Sequence, residues 1–241
     1  MKKKKIISAI AAVAVVASLS IGSLAWFTSQ DSVTNKFSTV STDNPSNANS
    51  GIDINEDFDK TTAQKVLPGT EVKKLVKVDS KAQYDQLVKV KLEKVWTNSR
   101  GDKVDSYKVT TKIGQDTNGN NIKLEDITYY DSSKDNTPKD AKKLDLSLIN
   151  LNFGDNLGNS EGKWIDGNEG TYYYNGILKP GATTNALLNS VTLDKKADNV
   201  YKNLKFNVIV TADGIQASNG AVSDGWKEAP QAIKDLGGVS K

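Results

Sequence analysis

The stretch Val88-Lys89-Val90-Lys91-Leu92-Glu93-Lys94-Val95 alternates apolar with charged residues at nearly every position. Successive side chains of a β-strand point to opposite faces of the sheet, so this pattern predicts a strand with one face in a core and one in water. A second stretch, Phe206-Asn207-Val208-Ile209-Val210, becomes apolar on both faces at its centre, which favours a central strand. Together they place the chain among the β-sheet proteins.

Short apolar or alternating stretches, separated by turn residues, continue along the chain from Ile52 onward. This spacing is typical of an all-β sandwich or barrel. Turn residues stand at Pro68-Gly69, Asp166-Gly167 and Pro180-Gly181. The predicted strands are residues 71–78, 87–96, 107–112, 147–153, 171–177, 186–193 and 204–212.

Two regions depart from this pattern. Residues 102–143 contain long polar runs rich in Gly, Asn, Asp and Lys, which predicts long surface loops around short strands. Residues 213–241 are the best helix candidate, although their glycines and Pro230 restrict it to a short or broken helix. The residues expected to be buried there are Ile215, Val222, Trp226 and Ile233.

The chain contains neither cysteine nor histidine. A β-domain without cysteine has to be held together by core packing rather than by disulfides. The same absences remove the commonest metal ligands, the usual general base near neutral pH and the most reactive nucleophile. We therefore predict a protein that is not an enzyme and has no catalytic residue, cofactor or metal.

The N-terminus has the features of an export signal. The cluster Lys2–Lys5 precedes a largely apolar run over residues 6–25, and Ser23 and Ala25 suit the positions before a cleavage site. We predict a signal peptide over residues 1–25, cleaved between Ala25 and Trp26, and a secreted protein of the extracellular matrix and cell surface that meets the membrane only before cleavage. A retained membrane anchor remains the alternative, because about 20 apolar residues can span a bilayer.

Length and charge limit the remaining functions. The length of 241 residues leaves room for one sizeable β-domain, which we place at residues 52–241. Removing the four lysines of the signal from the 32 basic residues leaves 28 against 29 acidic residues, a net charge of −1. Without an excess of positive charge, a nucleic-acid partner is not expected.

Between signal and domain, the sequence predicts an extended arm at residues 26–40 and a flexible polar linker at residues 41–51. In a strand, one face of the arm carries Val33, Asn35, Phe37 and Thr39. We expect Val33 and Phe37 to be its apolar anchors.

Five motifs in order along the chain carry a resemblance to a known family. They are Ala25-Trp26-Phe27-Thr28, Val33-Thr34-Asn35-Lys36-Phe37, Val66-Leu67-Pro68-Gly69-Thr70-Glu71, Tyr172-Tyr173-Tyr174-Asn175 followed by Leu178-Lys179-Pro180-Gly181, and Gly214-Ile215-Gln216-Ala217 with Trp226. With these motifs the chain resembles the TasA, camelysin and BsaA group of exported biofilm-matrix proteins of Gram-positive bacteria. It looks most similar to the clostridial BsaA-like branch.

The resemblance implies a jelly-roll-like β-sandwich with an N-terminal donor-strand arm that polymerises head to tail into extracellular fibres. The implied partners are further copies of the chain, a SipW-type signal peptidase during export, and a minor fibre subunit. In such exchange, a strand of one chain fills an incomplete sheet of the next by main-chain pairing and by placing side chains in its core. The strands expected to flank the acceptor groove are residues 87–96 and 204–212.

Several alternatives stay open. The arm could instead fold back as the first strand of its own sandwich, and the protein could be a monomeric surface-binding module for glycans or a host. An exported peptidase of the camelysin type ranks third, because the His-Glu-x-x-His motif of zinc peptidases is missing. Lys36 is a candidate for an isopeptide bond, although a solvent-facing charge is the preferred interpretation. Asp116–Asn120 departs from a calcium loop and favours an Asn-Gly turn.

Overall fold

The computed structural model describes residues 51–63 and 66–238 in full and, within the arm, the main chain of residues 28–29 and 32–35. No helix within these residues has both the length and the apolar character needed to span a membrane. The strands are β1 (Thr28–Ser29), β2 (Ser32–Asn35), β3 (Ile52–Phe58), β4 (Glu71–Ser80), β5 (Gln86–Thr97), β6 (Lys103–Val104), β7 (Ser106–Gln115), β8 (Asn121–Tyr130), β9 (Lys142–Lys143), β10 (Ile149–Asn152), β11 (Trp164–Asp166), β12 (Thr171–Tyr174), β13 (Leu188–Leu193) and β14 (Lys205–Gln216). The described helices are α1 (Lys60–Ala63), α2 (Ala221–Gly225) and α3 (Gln231–Leu236).

Two sheets pack face to face around one core. The first has the order β1-β14-β5-β12-β11, with β2 also paired to β14 and β6 to β5, and the second has the order β10-β13-β4-β3. The chain crosses between the sheets from β4 to β5, from β12 to β13 and from β13 to β14. This winding is that of a jelly roll. The predicted all-β sandwich with short C-terminal helices is confirmed.

Strand alternation builds the core. In β5, Val88, Val90, Leu92 and Trp96 are buried and face the second sheet. Trp96 lies 4.9 Å from Tyr201 between ring centroids, and its indole N–H donates to the Asp145 carbonyl at 3.1 Å. Burying each large apolar side chain contributes roughly 1.5–3 kcal/mol, so the sandwich is held together by packing.

A second apolar cluster covers the outer face of the first sheet. The C-terminal segment packs Val222, Trp226 and Ile233 over Tyr173 of β12 and Ile215 of β14. The four C-terminal residues predicted to be buried are buried, and the helix is broken into α2 and α3 as expected. Ile215 belongs to β14 rather than to a helix, because β14 continues to Gln216.

The prediction of long loops around short strands at residues 102–143 is wrong. Strands β7 and β8 have ten residues each and pair without a break from Ser106 opposite Tyr130 to Gln115 opposite Asn121. With β9 they form a separate sheet, β8-β7-β9. Both faces of this hairpin are largely exposed, so its strands lack the apolar alternation on which the sequence prediction relied. Strand β3, the edge strand of the second sheet, was not predicted either.

Candidate strand-exchange site

The arm lies along one edge of the first sheet. Its main chain pairs in parallel with β14, first with Thr28 opposite Lys205 and Ser29 opposite Phe206, and then from Ser32 opposite Ile209 to Asn35 opposite Ala212. On its other side β14 pairs with β5 over its whole length. Among the described residues, therefore, the arm alone closes this edge of β14.

The register places two of the predicted exchange residues opposite buried residues of β14. Val33 stands opposite Val210 and Asn35 opposite Ala212, and both partners are buried. Of the two strands expected to flank the groove, residues 204–212 pair with the arm and residues 87–96 lie one strand further in. The remaining predicted residues, Ala25, Trp26, Lys36, Phe37 and Thr39, lie outside the described residues.

The arm follows the alternative in which it folds back onto its own sandwich. Its two strands are only two and four residues long, and parallel pairing is slightly weaker per residue than the antiparallel pairing of the rest of the sheet. Short edge segments open locally at far lower free energy than the whole domain. The arm is thus attached through short edge strands, which favours its local release.

A buried ion pair lies on the side of the core that the arm closes. Lys74 is 2% exposed in the inward row of β4, and its ammonium donates to the two carboxylate oxygens of Glu56 at 3.1 and 3.2 Å. The same ammonium lies 5.2 Å above the ring of Phe58. Glu56 and Phe58 belong to β3, and β2 lies against β3 as well as β14. The β14 edge that the arm covers therefore has two kinds of neighbour. It has the buried apolar residues of β14 on one side and the charged Lys74–Glu56 pair at β3 on the other.

The opposite side of the sandwich has a second opening. Within the described residues β10 pairs with β13 alone. On the side away from β14, β5 has no strand partner between Lys91, which pairs with β12, and Trp96, which pairs with β6. The groove between them measures about 1020 Å³. Lys94 points into it and donates to the Ile149 carbonyl at 3.0 Å. Burial lowers the pKa of Lys94, and Asp145 partly offsets this effect. An inward lysine of this kind protects an edge against strand addition.

A cluster of polar side chains at the base of the β7–β8 hairpin holds a loop in place. Ser132 donates its hydroxyl to Asp105, and Lys143 donates to both Ser132 and Asp105, at 2.7 and 3.2 Å. Burial alone would raise the pKa of Asp105, but the hydrogen bonds from Ser132 and Lys143 lower it to about 2. These contacts fasten the 131–137 loop to Asp105 and β9.

Two other motifs are also structural. Asp116 accepts main-chain N–H groups of Asn118 and Asn120 at 2.8 Å each, which makes the expected Asn-Gly turn. Tyr172 and Tyr173 are buried on opposite faces of β12, against Phe153 and Trp226 respectively. Across the residues with assigned positions, no group of three or more acidic side chains is arranged to hold a metal ion.

Strand β14 and the arm were predicted from the sequence, whereas the Lys74–Glu56 pair was not. The sequence did indicate that Lys74 is buried, because it occupies the same alternate positions of β4 as the inward residues Val72, Val76 and Val78. Its partner could not be found in the same way, since β3 was not predicted. Searches of protein-family models, of curated proteins and of solved structures found no match to this chain.

Proposed function

We propose that this protein is a structural subunit of an extracellular matrix fibre. In this proposal the arm leaves the β14 edge of its own domain and pairs along β14 of the next subunit. The observation that carries it is the parallel pairing of β1 and β2 with the otherwise open edge of β14. The same main-chain groups can be satisfied by the arm of another copy, as in strand addition generally.

The energetics favour an exchange that is controlled by concentration. The contacts made by an arm are the same in its own domain and in a neighbour, so the two states differ mainly in the entropy of association. The 15 residues between Asn35 and Gly51 reach roughly 50 Å when fully extended, enough to bridge adjacent domains. Head-to-tail contacts that do not close into a ring produce a filament.

Processing of the N-terminus fits the same proposal. Cleavage between Ala25 and Trp26 by a SipW-type peptidase would free the arm outside the cell, and a minor subunit would start or anchor the fibre. The resemblance to the TasA, camelysin and BsaA group supports this assignment. In the neighbour, Val33 would stand opposite Val210 and anchor the arm, with Phe37 as the second anchor.

The proposal is tested by deleting residues 26–40 from the exported protein and examining the secreted material by electron microscopy. The deletion is expected to yield folded monomers without filaments. A synthetic peptide of residues 26–40 should bind this truncated protein and, added in excess to the intact protein, should stop filament growth. Filaments formed by the truncated protein would refute arm exchange.

A pair of point variants provides a matched control. Val33→Asp places a charge at the register position of buried Val210 and is expected to abolish filaments. Thr34→Asp places the same charge at the next position, which belongs to the other face of the strand, and should leave filaments intact. Equal effects of the two substitutions would contradict the predicted facing of the arm.

A further inference from the structure

The β7–β8 hairpin extends away from the sandwich and has a free edge. Within the part of the chain that the structure describes, β8 pairs with β7 alone. Natural sheets protect such edges by short strands, charged side chains, prolines or bulges. Strand β8 has ten residues, contains no proline, and keeps an unbroken register with β7. Its outer edge is therefore open to a strand whose charges complement those of Lys123, Glu125 and Asp126.

The hydrogen bonds of the hairpin show which main-chain groups are available. At the turn, the Asp116 N–H donates to the Asn120 carbonyl at 2.9 Å. Antiparallel pairs alternate between bonded and non-bonded positions, so Ile122, Leu124 and Asp126 use their main-chain groups toward β7. The alternate residues, Lys123, Glu125 and Ile127, direct their N–H and C=O groups outward.

We propose that this edge pairs with β8 of a second copy of the chain, antiparallel, about a two-fold axis at Leu124. In this register Lys123 stands opposite Glu125 of the second copy, and Glu125 stands opposite its Lys123. Registers centred on Lys123, Glu125 or Asp126 would instead place two identical charges opposite each other. Opposite charges across a strand pair stabilise and like charges destabilise, so the charges of β8 favour the register centred on Leu124 over these three.

The packing of the hairpin is compatible with this contact. A Cβ atom at Gly114 would lie 2.6 Å from Cδ1 of Leu124, so the glycine makes room for Leu124 to lie across the ribbon. Ile113 is 76% exposed near the tip. An isolated two-stranded ribbon is only marginally stable, whereas two joined hairpins form a four-stranded sheet.

The pairing does not require the arm, and it goes beyond fibre formation. A two-fold contact uses the same surface on both subunits, so it joins two subunits into a closed dimer and cannot build a filament by itself. In a fibre built through the arm, it would join neighbouring filaments side by side. The two interfaces can therefore be tested separately.

Cross-linking tests the two-fold position directly. The natural chain has no cysteine, so Leu124→Cys introduces a single thiol. Facing residues at a non-bonded antiparallel position have Cβ atoms about 4.5–5.5 Å apart, close to disulfide geometry. Mild oxidation of the full chain is expected to give a dimer on a non-reducing denaturing gel, with or without filaments. Thr111→Cys, exposed on the outer edge of β7, is the control, and equal dimer from both variants would refute the pairing.

Charge reversal tests the register. Lys123→Glu or Glu125→Lys alone places like charges opposite each other, and each is expected to lower the dimer association constant of the full chain about tenfold or more in sedimentation measurements. An equimolar mixture of the two variants restores both opposite pairs and should form a heterodimer. Both residues are exposed, and circular dichroism will verify that the variants fold. Unchanged association of the single variants, or no recovery in the mixture, would refute this register.

Discussion

At the residue scale, Lys74 is unusual because it is a buried charge between Val72 and Val76 in the inward row of β4. Desolvating an ammonium and a carboxylate costs several kcal/mol per ion, which their attraction offsets only when the geometry is good. The two hydrogen bonds to Glu56 provide that geometry. The pair is therefore more important for the specificity of the β3–β4 edge than for net stability.

Removing one partner of this pair is predicted to be more harmful than removing both. Glu56→Ala should lower the free energy of unfolding by about 3 kcal/mol, since the buried Lys74 ammonium would lose its two hydrogen bonds to this carboxylate. Lys74→Met combined with Glu56→Leu should restore stability to within about 1 kcal/mol of the natural protein. Urea denaturation measures both values.

The neighbouring surface pair Lys73–Asp57 is the control. Both side chains are more than half exposed, so Lys73→Ala should cost less than about 1 kcal/mol. If Glu56→Ala and Lys73→Ala cost the same, the buried pair does not have the energetic role assigned to it.

At the element scale, the C-terminal segment acts as a cover for the first sheet. Trp226 is 6% exposed, its ring centroid lies 6.0 Å from that of Tyr173, and the ammonium of Lys89 lies 4.8 Å from its ring. Because of this cover, both faces of β12 are interior. This explains the run of three tyrosines, since a strand with one solvent-exposed face would alternate apolar and polar residues.

Truncating this anchor is predicted to destabilise the domain. Trp226→Ala should reduce the free energy of unfolding by about 3 kcal/mol, because it leaves a cavity over Tyr173. Trp226→Phe keeps most of the apolar contact and should cost clearly less. Lys227→Ala, at the exposed next position, should change stability by less than about 0.5 kcal/mol in the same urea titrations. A loss from Lys227→Ala as large as that from Trp226→Ala would contradict the covering role.

The β7–β8 hairpin shows which strands cannot be predicted from apolar alternation. Alternation predicted β4, β5 and β14 because each has one face in the core. Strands β7 and β8 are exposed on both faces, so their polar composition resembled that of a loop. Their pairing depends on cross-strand hydrogen bonds and β-propensity, neither of which produces an apolar period.

At the scale of the whole molecule, the junction between the hairpin and the sandwich makes stability depend on pH. Asp105 accepts hydrogen bonds from Ser132 and Lys143, and its pKa of about 2 lies below the ordinary value of 3.8. A carboxyl whose pKa is lower in the folded state stabilises that state above its ordinary pKa. The contribution is lost as pH falls through the folded value.

We therefore predict that Asp105 supports stability at neutral pH and loses this role between about pH 4 and pH 2. Asp105→Asn should lower the melting temperature by about 2–4 °C at pH 7 and have little effect near pH 2. Calorimetric scans across this range measure the difference. Asp126→Asn, in a more exposed ion pair with Lys112, is the control and should lower the melting temperature at pH 7 by less than Asp105→Asn does. A constant difference between Asp105→Asn and the natural protein at all pH values would contradict this linkage.

The sequence by itself determined which residues face the core. The alternation in residues 88–95, the apolar stretch 206–210, and the glycines and Pro230 of the C-terminal segment are local properties that specify two strands and a broken helix. Only the tertiary structure decided which segments are neighbours: β14 against β5, the arm on the remaining edge of β14, and Lys74 beside Glu56. Periodicity reports burial along one segment, whereas pairing depends on main-chain hydrogen bonds between segments that are far apart in the chain.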